Sequence, residues 1–245
     1  MKHTIDSMMK CALLAGVLSL AAITPSMAAT GNSGNPKILP PKSSAQGKTY
    51  SEWAAAWWQW ALSIPADRNP LTDTTGQFGA EGQSGSMWFL AGTFGNSADR
   101  SYVIPQGKMM FLPVFNWIFG AGAFDCQPSV PGVPCDVPSL IATAAANTLA
   151  ATVLDVSIDG APVQNVRDYR AASPGPFSIN YPDNSVTGLP AGNYFPNVGD
   201  GYWLILAPFE PGAHTIQVHV IAPVTSNGPI EFTVVWRITV QCSAN

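Results

Sequence analysis

Residues 231–240, EFTVVWRITV, decide how the chain folds. Phe232, Val234, Trp236, Ile238 and Val240 alternate with Glu231, Thr233, Arg237 and Thr239. A period of two sends one set into a core and leaves the other on a wet sheet face. Ser226-Asn227-Gly228 supplies the turn before it. Working backwards, Pro211-Gly212 turns into a strand from His214 to Val220, with Ile216, Val218 and Val220 inward, and Tyr202 to Ala207 reads as another. Val153 to Ile158 alternates into Asp159-Gly160, a hairpin turn signal, and Val163 to Tyr169 continues the pattern. Met87–Phe94, Ser101–Ile104 and Lys108 to Phe115 or beyond are three more strands. A polar turn and Pro105-Gln106-Gly107, with type II turn residues, would join these as an antiparallel meander. Residues 172–200 are dense in Pro, Gly, Asn and Ser and read as long surface loops.

Two helices interrupt the strands. Thr49 and Glu52 have capping-box spacing, and Pro65 closes the run that follows. Trp53, Trp57, Trp60 and Ile64 recur on one face, as a stripe docking on a sheet does. Trp58 lies on the flank and is expected to stay the most open of the four tryptophans. Asp136 can cap a second helix, Pro138 to about Ala151. The expected fold is mainly β: an antiparallel β-sandwich, jelly-roll or immunoglobulin-like, with a docked Trp-rich helix and one further short helix.

The amino terminus reads as an export signal. Lys2 and Lys10 precede the apolar run CALLAGVLSLAAI (11–23), Pro25 breaks it, and Ser26-Met27-Ala28 presents small residues for cleavage between Ala28 and Ala29. About 13 apolar residues are too few for a bilayer that needs roughly 20, so no transmembrane anchor is expected. Residues 29–48 then read as a flexible leader and 49–245 as a single β-rich domain. Beyond Ala28 the chain carries nine Lys/Arg and 14 Asp/Glu. No basic patch exists, which excludes nucleic acid and anionic lipid as partners. In an oxidising compartment, periplasmic or extracellular, Cys126 and Cys135 are expected to pair across their Pro-rich loop. Cys242 is left free, cross-linking chains, or exchanging into that pair.

Several short patterns recur together: Trp57-Trp58-x-Trp60, Asn69-Pro70, Gly82-Gln83-x-Gly85, Trp88-Phe89-Leu90-Ala91-Gly92 and Arg100. They continue with Pro105-x-Gly107-Lys108, Phe111-x-Pro113, Asp159-Gly160, Tyr169-Arg170, Asp200-Gly201-Tyr202-Trp203 and Pro211-Gly212-x-His214-Thr215-Ile216. Across residues 49–221 the combination resembles a family of uncharacterised secreted bacterial proteins. The resemblance implies export and a compact domain, and no chemistry. The Pro-Gly-x-His turn and the strands after it also look like the end of many immunoglobulin-like sandwiches.

Catalytic patterns are scarce. His214 and His219 fall on one strand at odd spacing, hence on opposite faces, and cannot share a metal. No nucleophile elbow, phosphate loop, dinucleotide fingerprint, zinc-helix motif or calcium loop occurs, so no cofactor and no metal are expected. Loop carboxylates such as Asp67, Asp73, Asp99 and Asp200 would serve a polysaccharide hydrolase only as a facing pair about 5–10 Å apart. The leading expectation is a non-enzymatic domain binding a neutral carbohydrate or apolar ligand, or a surface partner, because aromatic faces stack on sugar CH groups. The candidate ligand-binding residues are Trp58, Gln83, Arg100, Trp117, Arg170, Tyr194, Asp200 and Trp203. A carboxylate hydrolase and a structural or adhesive surface component are the alternatives.

Overall fold

The computed structural model of the protein describes residues 35, 37–120 and 136–242. The Ala28–Ala29 cleavage point and the expected Cys126–Cys135 pair lie outside them. In chain order the elements are β1 (Ser44–Ala45), β2 (Lys48–Thr49), α1 (Tyr50–Leu62), β3 (Met87–Phe89), β4 (Ala98–Pro105) and β5 (Met109–Gly120). Then come α2 (Val137–Leu149), β6 (Val153–Ile158), β7 (Ala161–Pro162), β8 (Arg170–Ala172) and β9 (Phe177–Tyr181). The last three are β10 (Gly192–Leu206), β11 (Gly212–Ala222) and β12 (Ile230–Gln241).

The fold is mainly β, with two five-stranded sheets. One has the order β4-β12-β11-β6-β7; the other runs β3-β5-β10-β8, with β9 also on β10. The alternation in β12 holds residue by residue: Phe232, Val234, Trp236, Ile238 and Val240 are all buried. Their sheet and the β5–β10 sheet contribute to one continuous core, with Phe115 of β5 meeting Phe232 at 6.5 Å. Asp159 and Gly160, with φ of 51° and 79°, make the expected hairpin turn.

The antiparallel meander is not formed. β3 pairs parallel with β5, while β4 leaves for the other sheet and pairs parallel with β12. The reason lies in the side chains. β4 alternates buried Ala98, Arg100, Tyr102 and Ile104 with exposed Asp99, Ser101 and Val103, so it suits a sheet with one wet face. β5 is buried or half-buried throughout and needs cover on both sides. The Pro105-Gln106-Gly107 turn forms, with Gly107 at φ 83°, but it passes the chain from one sheet to the other.

Three further expectations change. Within 172–200, β9 and the first half of β10 are strands rather than loop. Residues 166–169 form a 3-10 turn, not a strand. From Lys37 the leader is part of the fold: Leu39 N–H donates to Ile205 at 2.9 Å, and Ala207 N–H donates to Lys37 at 2.9 Å. Of the alternatives left open for Cys242, the free thiol drops out, because it is disulfide-bonded.

α1 forms under the capping box: Thr49 Oγ1 accepts from Glu52 N–H, and the Glu52 carboxylate accepts from Thr49 N–H at 2.8 Å. Its tryptophans are core. Trp53, Trp57 and Trp60 donate their indole N–H to the carbonyls of Ala45, Leu90 and Glu81 at 2.8–2.9 Å. Trp57 meets Trp203 of β10 edge-on at 5.4 Å. Trp58 is as buried as the others, contrary to expectation. α2, capped by Asp136, sets Leu140 and Ala144 against Phe119 and Val198. No helix among the described residues is long and apolar enough to cross a membrane.

Candidate functional site

β5 is paired along only one side for half its length. β3 reaches Met109–Phe111, and the last bond on that side runs from Leu90 N–H to the Phe111 carbonyl at 3.0 Å. Pro113 follows, with no N–H to offer; proline within a sheet belongs on an edge. Among the described residues none pairs with this side of β5 from Pro113 to Ile118. The direction of its backbone groups can be read from β10. Gly199, opposite Ile118, turns its polar groups to the far side, accepting from Ser173 N–H at 2.8 Å and donating to Ser173 Oγ at 3.2 Å. Ile118, and Asn116 two residues earlier, therefore point N–H and C=O away from β10.

A cavity of about 550 Å³ opens along this edge and reaches both faces of the strand. On the α1 side it is walled by Trp58, Leu62, Tyr181 and Val186. Asn116 and Ile118 face this side, because Trp58 lies over Gly199: a Cβ there would sit 3.0 Å from Trp58 Cδ1. On the opposite side lie Phe115, Trp117, Phe232 and Trp236. The segments Gly92–Gly95 and Asn227–Glu231 contribute to the wall, and Glu231 is the sole charged residue among the lining. Burial pushes the Tyr181 phenol up, against a hydrogen bond to Thr187, so it is a neutral hydroxyl.

Among the described residues, three buried donors on this lining have no partner: Trp58 Nε1, Asn116 Nδ2 and Trp117 Nε1. A buried polar group left unmet costs about 1–3 kcal/mol. The rest of the α1 stripe shows how readily this fold supplies carbonyls to indoles.

Of the eight residues expected from the sequence, Trp58 and Trp117 come together here and six do not. Trp203 is fully buried, stacked on Phe111 at 5.2 Å and bonded to the Ala171 carbonyl. Tyr194 packs on Tyr181 and donates to the Pro190 carbonyl. The Gln83 amide accepts from Phe89 N–H at 2.9 Å and donates to the Phe89 carbonyl at 2.8 Å, standing in for a strand beside β3. Arg100 is buried on β4 and bonds the carbonyls of Ala91, Gly92 and Leu71. Arg170 and Asp200 form a bidentate pair at 2.9 and 2.6 Å, which raises the Arg170 guanidinium further. Asp200 is spent on that pair rather than set beside an open aromatic platform.

Asn116, Phe115 and Phe232 are not among the residues the sequence marks as a site, Phe232 standing there only as a core position of the last strand. One signal was there: Pro113 inside an apolar run, followed by Asn116 as its lone polar residue. His214 and His219 do sit on opposite sides of β11; His214 contacts Asp159 at 2.9 Å and His219 contacts Thr233 at 3.0 Å. Among the described residues no three His, Cys, Asp or Glu side chains cluster as metal ligands. Compared with protein families, curated proteins and solved structures, the chain matches none.

Proposed function

We propose that this chain is an exported, non-catalytic binding domain that holds a neutral ligand in the cavity at the β5 edge. In this reading the two sheets pack as a sandwich with α1 on its outer face. Export rests on the charge, apolar run and small-residue order of residues 1–28. The observation carrying the binding role is the aromatic-lined cavity along the side of β5 that no described residue pairs. A cavity of this size suits a small ligand or a short stretch of a larger one. The paired carboxylates of a glycosidase have no counterpart among the lining residues, where Glu231 stands alone.

The test is a ligand screen of the purified protein against glycans and short peptides, beside the cavity-filling variant Val186→Trp. Binding that the variant loses supports the reading. A wild type that binds nothing, or binds equally well with the cavity filled, removes it. For export, sequencing the protein recovered outside the cytoplasm should find Ala29 first.

A further inference from the structure

We propose that the occupant of this cavity is an extended, uncharged apolar polypeptide segment, which adds to the β5 edge as a further strand. This rests on the binding reading above and names its ligand class.

The shape of the site carries the argument. A sugar ring stacks on one aromatic face. This cavity instead passes around the edge of a strand and is lined with aromatic and aliphatic side chains on both sides. An added strand fits such a space, because its side chains alternate between the faces of the sheet it joins. One set would meet Trp58, Leu62 and Val186; the other would meet Phe115, Phe232 and Trp236.

The backbone supplies the matching bonds. Asn116 and Ile118 present their N–H and C=O outward, two residues apart, which is the spacing at which one strand pairs with the next. Val114 to Ile118 spans about 17 Å, room for five residues.

The charge on the wall sets no further requirement. Glu231 alternates with inward-facing Phe232 and is exposed on the outer face of β12. The inward wall is therefore uncharged and suits an uncharged segment. A second copy of the chain does not fit as well. A symmetric pair would set two β5 edges against each other, each carrying Pro113, which has no N–H to give.

The probe is a set of capped pentapeptides of Val, Ile and Thr residues, read by fluorescence polarisation. The best peptide is then N-methylated at each amide in turn. Methylation at the amides facing Asn116 and Ile118 should weaken binding about tenfold, and at the intervening amides less than twofold. Ile118→Pro, which removes an outward N–H as Pro113 already does, should act like the methylated peptide; the methylation series stands if that variant fails to fold.

Equal loss at every methylated amide, or no peptide binding at all, overturns the proposal. Glycan binding without peptide binding overturns it while leaving the binding reading intact. A dimer dissociated by Ile118→Pro would show that a second copy is the occupant and would overturn it as well.

Discussion

Arg100→Met should destabilise the protein by roughly 2 kcal/mol, and Arg100→Lys should cost more. Arg100 is fully buried on β4, and none of its bonds is to a carboxylate. Its Nη1 donates to Ala91 at 2.7 Å and Gly92 at 2.9 Å, and Nη2 reaches Leu71 at 3.4 Å, while Nε has no partner. Removing the guanidinium does not orphan all three carbonyls. Ala91 keeps the Trp236 indole N–H at 3.1 Å. Gly92 loses a good bond, worth about 1–3 kcal/mol when a buried acceptor is left unmet, and Leu71 loses a long one worth less. Against this, methionine buries no charge and leaves no unpaired Nε.

Lysine keeps the charge but cannot span the same carbonyls, so it resembles a buried ion stripped of its partners, a loss of about 3–5 kcal/mol. Urea unfolding reads the order directly. At a slope near 2 kcal/mol per M, the methionine variant should lose about 1 M from the midpoint. Since Gly92–Gly95 walls the cavity, amide exchange at residues 91–95 should also quicken. A lysine variant as stable as the methionine one, or a methionine variant matching wild type, would refute the reasoning, because the carbonyl bonds would then carry no net weight.

Three other outcomes follow from single contacts. Thr49→Ala removes the hydroxyl half of the capping box, leaving the Thr49 N–H bond to the Glu52 carboxylate, and should cost about 1 kcal/mol in thermal or urea unfolding. Gly201→Ala places a Cβ 2.5 Å from Asn116 Cβ and 2.9 Å from the Phe115 carbonyl, so β5 must move; a loss of about 1–3 kcal/mol, with weaker ligand binding, is expected. Burial raises Asp159, but hydrogen bonds from His214, Thr215 N–H and Lys37 outweigh it and hold the carboxyl at about 2, below its ordinary 3.8. A depressed carboxyl contributes stability in full above the unfolded value and loses it as the pH falls through the folded one. Between about pH 4 and pH 2, Asp159→Asn should therefore flatten the acid limb by about 1 kcal/mol, the side chain being about one-third exposed and screened.

Local signals served the fold well where one residue type has one physical use. The period-two pattern of 231–240 needs no context to mark an inner and an outer face, and the Thr49–Glu52 box starts a helix whatever it docks on. Pro105-Gln106-Gly107 was read correctly as a turn, yet a turn does not say which sheet receives the next strand. That choice followed from comparing β4, with its wet face, and β5, buried on both, and only a three-dimensional partner makes the comparison decisive. The site residues failed for a related reason. Arg100, Arg170, Asp200 and Gln83 stood out because charge and amide are rare in this chain. In a core so short of polar groups, each was claimed by a backbone carbonyl, a carboxylate or a strand edge.

Trp58 and Trp117 differ from those residues in having nothing nearby to bond, and that difference is not visible in sequence. What sequence does carry is the cause of the opening. β5 must be covered on both faces, so it lies inside the molecule, and Pro113 ends its pairing with β3 side by denying a donor. A buried strand with an open edge is a hazard if it meets another edge. Here the cavity beside that edge is lined by aromatic and aliphatic side chains, with the Gly92–Gly95 and Asn227–Glu231 segments in its wall. The same constraint that made Met109–Gly120 almost wholly apolar thus suits that side, which no described residue pairs from Pro113 to Ile118, to an apolar strand.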